Sequence, residues 1–126
     1  MRAPYLAAAL VTMALGLFAH LHGASLGVVR RDVVGDVLWA AMIAFWIGAL
    51  APMARLTMRA IVAYAICAIV EVSQLLHTPV LDTLRATRVG QLVLGSGFDA
   101  RDFLAYAIGV SMAALIDAVA RIRRPR

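Results

Sequence analysis

Glu71 is the one formal charge between Ala60 and Leu81. A carboxylate set in so apolar a run is costly to leave alone, so it must be protonated, paired or turned toward a wet cavity. Gln74 follows three residues later and shares its helix face. Asp102 opens another apolar run, with Tyr106 and Gly109 on its face at four-then-three spacing, and Asp36 stands just before a third. Glu71 and Asp102, if brought together, can share a proton and serve as acid and base. Arg85 and Arg88, together with Arg101, suit a different chemistry, because a planar guanidinium fork grips a phosphate or carboxylate bidentately. In that reading Glu71, Gln74 and Asp102 orient the ligand. Covalent chemistry has no support: Ser73 falls on another helix face from Glu71, and Cys67 lacks an activating partner.

The elements that carry these residues are long and apolar. The chain has 126 residues, 63% of them hydrophobic, with mean hydropathy +0.89, far beyond a water-soluble fold. Pro4 to Leu21 and Val37 to Ala54 hold no formal charge, and Phe103 to Ala120 holds only Asp117. With the Glu71 run, these make four stretches long enough to cross a bilayer. A backbone in hydrocarbon must satisfy its own hydrogen bonds, and no polar–apolar alternation suggests barrel strands, so the expected fold is all-α. We expect one membrane domain over residues 1–126 with four transmembrane helices at roughly 4–22, 34–53, 59–77 and 102–120. The first run also reads as a cleaved signal peptide, with Gly23-Ala24-Ser25 as its cleavage site. A long connection, 78–101, opens with Thr78-Pro79 and carries Gly90, Gly95 and Gly97 as turn signals. Its apolar middle, 89–94, either dips into the membrane or lies at the surface.

An up-and-down bundle places His20, His22, Asp32, Asp36, Glu71, Gln74, His77, Asp99 and Asp102 at one membrane face. The other face holds Arg2, Arg55, Arg59, Arg121, Arg123, Arg124 and Arg126, against Arg30, Arg31, Arg85, Arg88 and Arg101 on the polar side. That excess predicts a multi-pass protein of the cell membrane with both termini in the cytoplasm. The terminal arginines abut a helix and suit anionic headgroups, which argues against nucleic acid as partner despite a net charge of +5. A lone Cys67 forbids an intramolecular disulfide or multi-cysteine zinc site. His20 and His22 lie two apart and diverge, so His20, His22, Asp36, Glu71 and His77 are not expected to bind metal, and no cofactor is expected. Small residues recur every fourth position in Ala8-Thr12-Gly16, Asp36-Ala40-Ala44-Gly48, Ala63-Cys67-Glu71 and Ala105-Gly109-Ala113, as in closely packed membrane helices. Asp117 has Arg121 at pairing distance along its helix.

Between Leu84 and Gly109, the succession Leu84-Arg85, Thr87, Gly90, Leu94-Gly95, Phe98, Asp102, Tyr106 and Gly109 resembles domain-of-unknown-function family 2809. Arg31-Asp32, Gly35-Asp36-Val37-Leu38-Trp39 and Glu71 with Gln74 are similar to that family's earlier blocks. The wider resemblance is to VanZ-like proteins, whose recurrent acid before helix two, Glu-x-x-Gln, loop Arg and late Asp fall here on Asp36, Glu71, Gln74, Arg85 and Asp102. Val37-Leu38-Trp39 stands where that group has a His-Phe pair, and Tyr106 where it has Asn. The resemblance implies a four-helix membrane protein and, in the VanZ branch, reduced sensitivity to teicoplanin-type lipoglycopeptides, without a reaction. Three readings follow. The preferred one is a non-enzymatic module that binds a membrane lipid, a lipid-linked envelope molecule or an amphipathic antibiotic through Asp36, Glu71, Gln74, Arg85, Arg88, Asp102 and Tyr106. The second is an intramembrane enzyme using Glu71 and Asp102. The third is a structural or assembly subunit, in which a Glu71–Arg85 salt bridge ties the long loop to helix three; a homo-oligomer stays open throughout.

Overall fold

Ala3–His22 forms the first helix, α1. The computed structural model describes residues 2–22, 27–90 and 99–123; the side chains of 28–31 and 121–123 fall outside that description. Gly27 takes φ 85, a left-handed backbone that glycine adopts without strain, and α2, Val28–Leu50, starts directly after it. This start lies earlier than the expected 34, because Arg30, Arg31 and Asp32 are barred from hydrocarbon but not from a helix that projects beyond it. α3 runs Leu56–Ser73 rather than to 77. The N–H groups of Gln74, Leu75 and Leu76 turn back three residues, to the carbonyls of Glu71, Val72 and Ser73, and tighten the chain to a stop. Thr78, extended as a residue before proline should be, then caps a short helix, α4, Pro79–Arg85, by accepting from the Leu81 N–H at 3.2 Å. The long connection therefore carries a helix that the turn reading of Thr78-Pro79 did not anticipate. Asp102–Arg123 forms α5. Of the apolar loop middle, Val89 is exposed, and 91–94 lie outside the described residues.

α2 occupies the centre, packing against α1, α3 and α5, and α3 also packs on α5. The interior is made of small side chains: Ala9, Ala40, Ala63, Cys67, Ala105 and Ala113 are buried, whereas Leu10, Phe18, Leu50, Ile61, Ile69, Leu104 and Leu115 face outward. Water would drive the opposite arrangement. Lipid does not penalise an exposed leucine, so association falls to close backbone packing over small residues. Four helices are long and apolar enough to cross a membrane: Ala3–His22, Asp32–Leu50, Leu56–Ser73 and Asp102–Ala120. The chain is a multi-pass, all-α membrane protein.

The small-residue stripes are the packing faces. α1 lies along α2 through Ala8, Ala9 and Gly16, where a Cβ would stand in ordinary contact 3.8 Å from that of Leu38. At Gly109 α5 approaches α2 closely: a Cβ there would run into the Val37 carbonyl and come within 2.9 Å of the Ala40 methyl. Gly109→Val should therefore separate α2 from α5 and cost about 1–3 kcal/mol, read as a lowered thermal midpoint in detergent. An unchanged midpoint would show that these helices do not meet at Gly109.

Candidate functional site

Glu71 is the best-buried polar side chain of the bundle, with 0% exposure, and it lies near the end of α3 where α2 and α5 begin. We call this the loop end. Both carboxyl oxygens are occupied: Oε2 accepts from the Tyr106 hydroxyl at 2.6 Å, and Oε1 accepts from the Asp99 backbone N–H at 2.8 Å. One bond joins α3 to α5, and the other pins the end of the long connection just where α5 starts. Trp39 of α2 packs over Tyr106 with ring centroids 5.7 Å apart, so the third helix closes the same cluster. Asp36 and Asp102, each half-buried, lie near one another and near Glu71. Asp102 stands in the first turn of α5, where the helix dipole favours an acid.

The arginines behave differently from the sequence expectation. Arg85 does not bridge to Glu71; at 8% exposure it donates from Nη1 to the Leu76 carbonyl and from Nη2 to the Ser73 carbonyl, both at 2.8 Å. These carbonyls belong to the closing turns of α3, the Ser73 oxygen also taking the Leu76 N–H, and a guanidinium at a helix C-terminus meets them with both hydrogen bonds and favourable charge. Arg85 thus does tie the loop to α3, through backbone rather than through Glu71. Arg88 is exposed. Arg101 is exposed and pairs with Asp99 at 3.0 Å, and its side-chain and backbone N–H groups together hold the Asp99 carboxyl below the usual carboxylate range. Gln74, 6% exposed, leaves its Oε1 without a hydrogen-bond partner. His77 lies 3.5 Å from Asp82 on the surface. Among the described residues no group of three His, Cys, Asp or Glu is placed to hold a metal ion.

Residues 25–110 match the family described as Protein of unknown function (DUF2809). The chain belongs to this family. The DUF2809 match takes in Asp36, Glu71, Gln74, Arg85, Arg88, Asp102 and Tyr106, so the whole loop-end cluster lies inside it. No solved structure matches the chain.

A second polar cluster occupies the opposite, terminal end, and two of its three residues, Tyr5 and Asp117, lie outside the DUF2809 match. Arg59 of α3 and Asp117 of α5 are 4% and 8% exposed and stand 2.9 Å apart, Nη2 to Oδ2, in ion-pair contact without good hydrogen-bond alignment. The Tyr5 hydroxyl donates to Asp117 at 3.1 Å, and the Arg59 guanidinium lies over the Tyr5 ring, 5.1 Å from its centroid. Gly48 makes room for this: a Cβ there would stand 2.6 Å from the Tyr5 ring and 2.9 Å from Arg59. The clasp joins α1, α3 and α5 across α2. Sequence reading had given Asp117 to Arg121, whose side chain lies outside the described residues, and had counted Arg59 only as a topological charge. The signal was present in depth: Arg59 begins one helix and Asp117 nears the end of its antiparallel neighbour, so they share a level. Asp117→Ala should leave Arg59 buried and uncompensated and cost about 3 kcal/mol, against about 1 kcal/mol for Tyr5→Phe, in thermal unfolding in detergent. Equal small losses would mean that the pair is solvated rather than clasped.

Proposed function

We propose that this protein is a VanZ-like, non-enzymatic membrane module that holds the headgroup of a lipid, a lipid-linked envelope molecule or an amphipathic antibiotic at its loop end. The observation that supports this is the half-buried Asp36–Asp102 pair, presented by two helices at the boundary of the spans and anchored from beneath by Glu71. Acids brought together at that depth are costly unless something else is gained there. Arg85, being engaged with α3 carbonyls, serves the site by fixing the loop, while exposed Arg88 is free to reach an anionic part of the ligand. In this reading the loop end faces the outer leaflet of the cell membrane and both termini are cytoplasmic, in keeping with the arginine excess on the terminal side.

An enzyme using Glu71 and Asp102 is the second reading, favoured by the nearness of those carboxyls. Against it, both Glu71 oxygens already hold donors and the side chain is fully enclosed, so a substrate would meet Asp102 first. Native mass spectrometry of gently purified protein tests the binding reading. Wild type should carry a defined lipid-sized adduct that Asp36→Asn and Asp102→Asn lose while keeping their helical content. Identical adducts in all three proteins would overturn it.

A further inference from the structure

We infer that α4 is a membrane-surface helix: it lies in the plane of the leaflet at the loop end, with Val80 and Leu84 seated among the acyl chains just below the headgroups. This surface is separate from the headgroup site and stands without it. α4 divides lengthwise into three sectors. Leu81 and Arg85, four residues apart, share the face turned to the protein, where Arg85 is buried and bonded to the Leu76 and Ser73 carbonyls. Asp82 and Thr83 lie in an exposed polar sector, with Asp82 3.5 Å from His77. Between Thr83 and the protein face, Val80 and Leu84, also four apart, form a third sector that is apolar and bare, at 70% and 47% exposure.

A single exposed leucine requires no partner, but this sector follows directly on a lipid-facing surface. Only Gln74 to Thr78 separate α4 from the membrane-spanning α3. Leu75 and Leu76, each 57% exposed, carry the apolar exterior of Ile69 and Val72 onward along the chain to Val80. None of the four long helices packs along α4 among the described residues, and Arg85 is its tether to the bundle. In water nothing is gained by sorting exposed side chains into a polar and an apolar strip, whereas at the bilayer boundary water and hydrocarbon lie on opposite sides of a helix parallel to the plane. A second copy or another protein fits less well: Val80, Leu84, Leu75 and Leu76 are four side chains, against about 20–30 residues a side in a stable protein interface.

The test uses the full chain carrying Val80→Cys, Leu84→Cys, Asp82→Cys or Thr83→Cys, one at a time, labelled with an environment-sensitive fluorophore. Wild type, whose Cys67 is fully buried, is the labelling blank. Each protein is reconstituted in phosphatidylcholine vesicles, and emission is quenched by phosphatidylcholine with a nitroxide near the headgroup, by the same lipid with the nitroxide at mid-chain, or by iodide present on both sides of the membrane. Labels at Val80→Cys and Leu84→Cys should emit to the blue of the other two and lose their emission to the shallow nitroxide rather than to iodide. Labels at Asp82→Cys and Thr83→Cys should show the reverse. Equal iodide quenching at all four positions would place α4 in water, and stronger quenching by the mid-chain nitroxide would place it inside the bilayer. Protection of Val80→Cys and Leu84→Cys from every quencher would put a protein surface over them. Each of these results overturns the inference. Circular dichroism checks that each variant keeps its helical content, and because Val80→Cys and Leu84→Cys report on one sector, either carries the test if the other unfolds.

Discussion

Hydrocarbon offers no hydrogen-bond partner, and Glu71 is a carboxyl fully removed from water near the end of a membrane-spanning helix. Its two oxygens must be met from within the protein, and they are met by groups that come from different places along the chain: a hydroxyl on α5 and a backbone N–H at the end of the long connection. The arrangement of α3 against α5, the entry of the chain into α5 and the position of Asp102 beside Asp36 all follow from that demand. Trp39 over Tyr106 and the bare backbone contact at Gly109 bring α2 into the same assembly.

The two ends of the bundle solve the same problem differently. At the terminal end an acid, a cation and a tyrosine stand in direct contact, their charges opposed and Gly48 giving them room. At the loop end Glu71 takes the Tyr106 hydroxyl and the Asp99 N–H with Asp36 and Asp102 nearby, and the buried Gln74 amide oxygen goes unmet. The first cluster is a clasp that adds α1 to the bundle. The second gathers half-buried acids at the boundary of the spans, which is why the functional proposal rests there.

Much of this was legible in the residues. Four apolar runs specify four spans because a bilayer demands length and apolarity and little else, and the stripes through Ala40, Ala63, Gly109 and Ala113 became the packing faces. Glu71, Gln74, Asp102 and Asp36 were identifiable as a group because antiparallel helices place their ends at common depths. Partner assignment was harder. Arg85 was expected at Glu71, yet the terminal carbonyls of α3 compete for the same guanidinium, and hydropathy carries no trace of where a helix ends. α4 was hidden for a related reason: Thr78-Pro79 marks a turn or a capped helix start equally well, and the Leu81 N–H on Thr78 decides between them. The clasp of Tyr5, Arg59 and Asp117 was missed because each residue had an adequate local explanation.

The central claim is that Glu71 and Tyr106 act as one buried unit joining α3 to α5. A double-mutant cycle measures this directly, with Glu71→Ala, Tyr106→Phe and the double variant unfolded in mixed micelles. A coupling energy of about 1–3 kcal/mol is expected, since the hydroxyl loses its acceptor in one variant and the carboxyl its donor in the other. Strictly additive losses would mean that the two side chains do not depend on each other, and the loop-end cluster would then need a different foundation.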